Sequence, residues 1–276
     1  MKRLPVWLLF LCLLAACRGE APEGAATSGP GSQPAVDPAA VPAEPVVLED
    51  VVESGKGYII GISWAEGIDR YPALAARLKA YADEARANVM DAVQAQDADP
   101  ANMYDLALEF KVLVDTPELF AVAADGSSYT GGAHGIPLIA RFVWLPRQDR
   151  MLTAQELIPD DGAWQQISSY VREQLHGALS LRVDADNLPA EERERVVRSA
   201  VRMIDEGTEP EAGNFAQFEP VTGPDGRIAA LRFVFPPYQV GPYSDGVQTV
   251  EVPAAVLVPH VAAAYRPLFA EAVAAQ

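Results

Sequence analysis

The sequence predicts an α+β fold, with antiparallel or mixed sheets, helices packed on one face, and either one domain or two subdomains. Apolar and polar residues alternate over 104–114, which indicates a strand with one buried face. Apolar residues recur every three or four positions over 71–96, which indicates a helix. Two further helical patterns are grouped together, and hairpin-like segments flank them. Hairpins beside grouped helices favour α+β over a wound parallel sheet.

The N-terminal half, residues 46–150, holds most of the predicted strands. Tyr71 to Val93 form one apolar stripe, and Pro72 suits the first turn of that helix. Turn residues separate the neighbouring apolar segments, notably Ser54-Gly55-Lys56-Gly57 and Thr116-Pro117. Besides 104–114, the predicted strands are 46–52, 58–64, one beginning at 119–124, and 138–145.

The C-terminal half, residues 151–276, begins with two predicted helices. The first carries its apolar stripe from Trp164 to Leu175, and Asp160 or Asp161 is placed to cap it. The second follows Pro189 and ends near Gly207. The elements predicted after them are strands over 215–221, 228–235 and 247–252 and a C-terminal helix over about 261–273.

Composition and charge exclude several classes of protein. The chain has 276 residues and a net charge of −17, which argues against nucleic-acid binding because phosphates require clustered Lys and Arg. Residues 1–45 contain three basic and four acidic residues, so residues 46–276 carry −16. Such a charge favours a basic partner, although solubility alone is the alternative. No apolar run is long enough for a polytopic membrane protein.

The N-terminus resembles a bacterial lipoprotein signal. Lys2 and Arg3 precede a short apolar stretch that ends in Leu14-Ala15-Ala16-Cys17, a sequence similar to the lipobox. The resemblance implies cleavage after residue 16 and diacylglycerylation of Cys17; a plain signal peptide with a chance cysteine is the alternative. Arg18, which is not aspartate, favours the outer membrane, so we expect a cell-envelope protein that faces the periplasm.

Residues 17–45 are rich in Ala, Pro, Gly and Ser and lack hydrophobic periodicity, which predicts a flexible tether between lipid and domain. The only cysteines are Cys12 and Cys17. The remainder of the chain therefore cannot contain a disulfide framework, a cysteine-ligated zinc ion or a cysteine nucleophile.

The first of two unusual loops spans residues 129–135. Its glycines allow positive φ angles, but it lacks the GxxxxGK pattern of a phosphate loop. His134 is a candidate general base or metal ligand, whereas the alternative is that its ring holds the loop by a hydrogen bond. No spacing signature joins it to His176 and His260, so we expect no metal and no cofactor. The candidate binding residues here are Tyr129, Thr130, Gly131, Gly132 and His134.

The second unusual loop spans residues 235–246 and contains two Pro-Tyr pairs. Its prolines exclude a central strand. Tyr238, Pro242 and Tyr243 are candidate anchors for a protein partner, because rigid tyrosines bury a large area and lose little entropy. Packing of the same rings against the core is the alternative.

Catalytic signatures such as GxSxG, HExxH and SxxK are absent from the sequence, and we predict that the protein is not an enzyme. A cell-wall hydrolase with His134 as its base is an alternative, and it requires an acidic side chain or a water within about 3.2 Å of that ring. A purely structural envelope lipoprotein is the other alternative, and it requires both loops to pack inward.

The two loops together resemble a bacterial family. YTGGAHG followed by a strand, and PPYQVGPYSDG followed by a strand and Pro253, are similar to the RsiV-like extracytoplasmic domain family. This family includes the lysozyme-binding domain of an anti-sigma factor and the accessory domain of PdaC-type peptidoglycan deacetylases. The resemblance covers roughly residues 46–260 and implies an α+β domain.

For the anti-sigma factor, the resemblance implies direct binding of lysozyme. Carried over to this chain, it implies contacts from Tyr238, Pro242 and Tyr243, with the 129–135 loop beside or beneath them. A basic muramidase would suit a domain of charge −16, and a cell-wall ligand is the other candidate for what the domain binds. The sequence lacks a deacetylase domain, and no cytoplasmic sigma-binding segment precedes the apolar stretch. We therefore expect neither deacetylation nor signalling across a membrane.

Overall fold

Six strands form a mixed sheet in the computed structural model, which describes residues 46–95 and 103–270. The strands are adjacent in chain order, and all neighbours are antiparallel except β2 and β3. A parallel pair needs a crossover, and α1 (Pro72–Ala95) provides it. The strands are β1 Val51–Gly55, β2 Tyr58–Trp64, β3 Tyr104–Asp115, β4 Phe120–Tyr129, β5 Ile136–Leu145 and β6 Arg150–Met151.

Helix α1 covers one face of this sheet. Leu74, Leu78 and Val89 of the helix pack with Leu106 and Phe110 of β3 in one hydrophobic cluster. The alternation predicted over 104–114 is confirmed, because every second residue of β3 is buried along most of the strand. The helix predicted over 71–96 is confirmed as well.

The second part of the fold combines helices with a three-stranded antiparallel sheet. After the short α2 (Ala154–Leu157) come α3 (Asp161–Ala185) and α4 (Ala190–Gly207). Asp160 caps α3 as predicted, because its carboxylate accepts the Gly162 amide at 2.9 Å. The sheet contains β7 Phe218–Thr222, β8 Ile228–Phe235 and β9 Gln248–Pro253, and the short α5 spans Ala254–Leu257.

Strand β4 connects the two hydrophobic clusters of the fold. Phe120 and Val122 belong to the cluster under α1, whereas Ala121 belongs to the cluster built by α3 and the three-stranded sheet. Alternate residues of one strand point to opposite faces, so β4 is buried on both sides. All described residues lie in one compact unit. The α+β class with mixed and antiparallel sheets is confirmed.

Several predicted boundaries differ from the structure. The first strand begins at Val51 and not at residue 46, and β4 continues to Tyr129 where it meets β5 as a hairpin. The helix predicted over about 261–273 is wrong for its described part, which contains turns and a 3-10 helix over Arg266–Leu268. Pro267 explains this, because a proline cannot donate the hydrogen bond that an α-helix needs there.

The predictions for the signal, for Cys17 and for the tether over 17–45 lie outside the described residues. Among the residues that are described, every helix is too short or too polar to cross a bilayer.

Candidate functional site

The two unusual loops meet on the surface of the protein. His134 comes from the β4–β5 loop, and Tyr238 and Tyr243 come from the β8–β9 loop. The Tyr238 Oη atom lies 2.7 Å from His134 Nε2, and the His134 and Tyr243 rings stack with centroids 4.1 Å apart. Tyr238 is tilted by about 37° against Tyr243 at a centroid distance of 5.9 Å. We call these three side chains the aromatic platform.

The aromatic platform is open to solvent. Tyr238 is 54% exposed, His134 and Pro242 are also exposed, and Tyr243 is half-buried. This exposure is the opposite of what a purely structural role, with both loops packed inward, requires.

The β4–β5 loop frames one side of the platform. Tyr129 ends β4, and its hydroxyl donates to the Gly132 carbonyl at 2.9 Å. Gly131 and Gly132 have φ angles of 100° and 99°, a region that favours glycine. Both glycines are exposed, while Tyr129 and Thr130 are half-buried. These residues shape the loop that carries His134.

Both nitrogens of His134 have partners that are not acids. Nδ1 lies 3.1 Å from the Gly135 carbonyl oxygen, and Nε2 faces Tyr238. A hydrolase with His134 as base requires an acidic side chain or a water beside the ring, and no acidic side chain contacts His134 in the described part of the chain. Within the same residues, no group of three potential His, Cys, Asp or Glu ligands could hold a metal ion.

The β8–β9 loop is fixed from below by α3 and α4. Gln239 Nε2 donates to the carbonyls of Gly207 at 3.0 Å and Asn214 at 2.8 Å. A Cβ atom on Gly207 would lie 1.9 Å from the Gln239 carbonyl oxygen, so only glycine allows this approach. Asp245 binds Arg182 of α3 at 2.7 Å. These contacts make the loop rigid.

The backbone of Tyr238 is strained. Its φ angle is 75°, which is the left-handed region, and its amide donates to the Gly241 carbonyl at 2.9 Å. The left-handed conformation costs an L-residue roughly 1–2 kcal/mol. Strained residues cluster at functional sites, because they persist only where the surroundings hold them.

An ionic network with a buried centre joins the two sheets. Arg141 of β5 binds Asp125 of β4 at 2.7 Å and Glu219 of β7 at 2.5 Å. Glu219 also accepts from Arg232 of β8, which in turn binds Glu251 of β9. The side chains of Arg141 and Glu219 are only 6% and 10% exposed, so the network fixes one sheet against the other.

Sequence reasoning identifies the ring-bearing residues but misses their supports. In the sequence Gly207 indicates only the end of a helix, and Gln239 and Arg182 carry no signal. Arg182 is one of many arginines on helices, and only the folded chain places it beside Asp245. The sequence likewise gives no sign that the backbone of Gln239 lies against Gly207.

Part of the chain is similar to a known protein family. Residues 157–255 match the family described as "Protein of unknown function (DUF3298)". The matched stretch is similar to this family and includes the β8–β9 loop but not His134. No curated protein matches this sequence.

Two solved structures of DUF3298 family proteins match this chain. A DUF3298 family protein from Pseudomonas aeruginosa PAO1 is 19% identical, with a TM-score of 0.51 over 83% of this chain and 99% of that one. A family member from Bacteroides fragilis NCTC 9343 is 17% identical, with a TM-score of 0.44 over 70% of this chain and 71% of that one. The similarity to the Pseudomonas protein supports the fold alone.

Proposed function

We propose that this chain is a lipid-anchored cell-envelope protein whose aromatic platform binds a basic protein, such as a lysozyme or another muramidase. The observation that carries the proposal is Tyr238, which is both strained and exposed. A tyrosine that served only the core would gain its stability from burial, whereas this one bears a backbone cost while half its surface faces water.

The rigidity of the β8–β9 loop supports a binding role. Gly207, Gln239 and the Asp245–Arg182 pair hold the loop before any partner arrives. Binding to a preformed surface avoids the entropy loss of ordering a loop, so exposed tyrosines on it are efficient anchors. Pro242 adds an apolar exposed neighbour with a fixed φ angle.

Charge supports a basic partner. The domain of residues 46–276 carries −16, which would speed the encounter with a cationic protein and make binding sensitive to salt. The resemblance of both loops to the RsiV-like family adds lysozyme as a specific candidate, because the anti-sigma factor of that family binds lysozyme. The match to DUF3298 is compatible with this resemblance.

The anchor belongs to the same proposal. Cys17 would carry the lipid, and the 17–45 segment would let the domain reach tens of ångströms from the membrane, at up to roughly 3.5 Å per residue. The residue after the cysteine, Arg18, favours the periplasmic face of the outer membrane. Mass spectrometry of the mature protein tests this part, since an unmodified Cys17 or an uncleaved N-terminus would contradict it.

Binding is tested by pull-down of a panel of lysozymes by the full chain at low and moderate salt. We expect capture at low salt, weaker capture at moderate salt, and at least about tenfold loss with Tyr238→Ala or Tyr243→Ala, as for interface anchors. Val52→Ala is the matched control, because Val52 is 92% exposed on β1 and lies outside both loops. Capture that ignores the two tyrosine variants, or no capture of any muramidase, would overturn the lysozyme proposal.

A further inference from the structure

A backbone carbonyl fixes the direction of the hydrogen bonds around His134. The Gly135 oxygen can only accept, so His134 Nδ1, 3.1 Å away, carries the proton of the neutral ring. Nε2 is then an acceptor, and Tyr238 must donate its single hydroxyl hydrogen across the 2.7 Å contact. This tautomer is assigned from the hydrogen-bond network. The Tyr238 oxygen is left with lone pairs only.

Tyr129 repeats this arrangement in the neighbouring loop. Its hydroxyl hydrogen is donated to the Gly132 carbonyl, which again leaves an oxygen that can only accept. The hydroxyl oxygens of Tyr129 and Tyr238 can therefore only accept hydrogen bonds, so they suit a ligand that donates them.

The Tyr238 ring offers a second attraction to the same kind of ligand. Tyr238 is 54% exposed, and the faces of an aromatic ring carry a negative quadrupole, which attracts ammonium and guanidinium groups. Resting on the proposed function, we infer that the platform receives a lysine or arginine side chain of the partner, laid on the Tyr238 ring and bonded to its phenolic oxygen. Protonation of His134 releases that side chain.

The effect of protonation follows from the same geometry. A protonated His134 donates from Nε2, so the Tyr238 hydroxyl must turn its hydrogen outward and becomes a donor. A positive charge appears beside the bound cation at the same time. Both changes weaken the contact, so acidification reduces binding.

Other charged groups around His134 do not give the same response. The rest of the 130–135 loop is Thr130, Gly131, Gly132, Ala133 and Gly135, none of which titrates. The β8–β9 loop contributes the two tyrosines and Asp245, and Asp245 is paired with Arg182 of α3. Histidine is the side chain that ordinarily changes charge between about pH 5 and 8.

The experiment uses the full chain labelled with 15N-histidine, which gives signals from only three histidines. The probe is N-acetyl-arginine methylamide, and the matched neutral control is the citrulline analogue, which differs in one atom of the head group. For the neutral ring of His134 we expect the Nδ1-protonated tautomer, and a shift of its signals with arginine at roughly fivefold lower concentration than with citrulline.

Variants separate the two parts of the inference. Tyr238→Phe keeps the ring and removes the oxygen, and should weaken arginine binding by about fivefold. His134→Gln offers an amide oxygen in place of Nε2 without a titrating group, so its affinity for arginine, whatever its size, should not fall on acidification, whereas the native chain should lose binding as its His134 signals report protonation. His260→Gln is the control histidine and should leave the pH dependence intact.

Each outcome bears on one of the two proposals. An Nε2-protonated tautomer at neutral pH, equal binding of arginine and citrulline, or a pH response that survives His134→Gln would overturn this inference. Loss of lysozyme capture in Tyr238→Ala without arginine selectivity would leave the proposed function standing and refute the cation contact. Arginine selectivity without capture of any muramidase would support the cation contact and refute the lysozyme proposal.

Discussion

The two loops of the aromatic platform reach positive φ angles by different means. The β4–β5 loop uses Gly131 and Gly132, for which the conformation is nearly free of strain. The β8–β9 loop uses one glycine, Gly246, and also Tyr238, for which the conformation is costly. A glycine at position 238 would form the same turn at lower free energy. The backbone conformation therefore does not explain the tyrosine, and we attribute its presence to the side chain. Gly131 and Gly132 thus determine the shape of their loop, whereas Tyr238 is the side chain that its loop exposes.

The largest expected effect comes from removing the support of the β8–β9 loop. Gly207→Ala would place a Cβ atom 1.9 Å from the Gln239 carbonyl oxygen, so the loop must move away from α4. We expect a loss of about 2–3 kcal/mol in the free energy of unfolding, in the range of overpacking in a dense region. Urea denaturation measures it, and binding by the platform should fall at the same time.

Gly177→Ala is the matched control for that substitution. Gly177 lies within α3, and a Cβ atom there would meet nothing within 4 Å. Alanine is the better helix former, so this variant should gain about 0.5–1 kcal/mol. Equal behaviour of the two alanine variants would show that contact with Gln239 does not hold the loop.

An intermediate effect on stability is expected when the residues with positive φ angles are changed, from tyrosine to glycine in one loop and from glycine to alanine in the other. Tyr238→Gly should keep or raise stability by up to about 1 kcal/mol, because relief of strain offsets the lost ring contacts, yet it should abolish binding. Gly132→Ala introduces strain into an otherwise open position and should cost about 1 kcal/mol. Calorimetry with the pull-down measures both, and a Tyr238→Gly variant as destabilised as Gly132→Ala would mean that Tyr238 serves the fold.

The smallest expected effect is on the pH dependence of stability, and it concerns Glu53, which lies outside both loops. It serves as a control for the effects on binding. Hydrogen bonds from Arg86 and Tyr58 lower the pKa of Glu53, which lies on β1. Because the folded pKa is lowered, the stabilisation is complete above the unfolded pKa and is lost as pH falls through the folded value. Glu53→Gln should therefore flatten the decline in stability below about pH 4.5, measured by denaturation at a series of pH values, and leave binding by the platform unchanged.

Local patterns in the sequence predict much of this fold. The alternation of β3 and the apolar stripe of α1 identify those elements, since each depends on residues close in the chain. The predicted C-terminal helix is wrong because small apolar residues around 261–265 suggest a helix, while Pro267 and the contact of Phe269 with Ile228 impose another path. Apolar residues from Val46 likewise suggest a strand that in fact starts five residues later.

The candidate site could be predicted only as two separate loops. Glycines and prolines identify each loop, but the contact between His134 and Tyr238 joins residues that are 104 positions apart. That contact depends on how β5 and β7 pack, through Arg141 and Glu219, and no local pattern encodes this arrangement. The strain at Tyr238 is visible only in the folded chain, because a tyrosine carries no sequence signal for a positive φ angle.

Because an ionic network joins the two sheets, the aromatic platform is complete only when both sheets have formed and packed together. His134 and Tyr238 belong to different sheets, and Arg141 with Glu219 holds those sheets together. A chain that has completed only one sheet has half of the aromatic platform. The proposed binding of a partner would therefore be restricted to fully folded molecules, because no earlier state presents the complete platform.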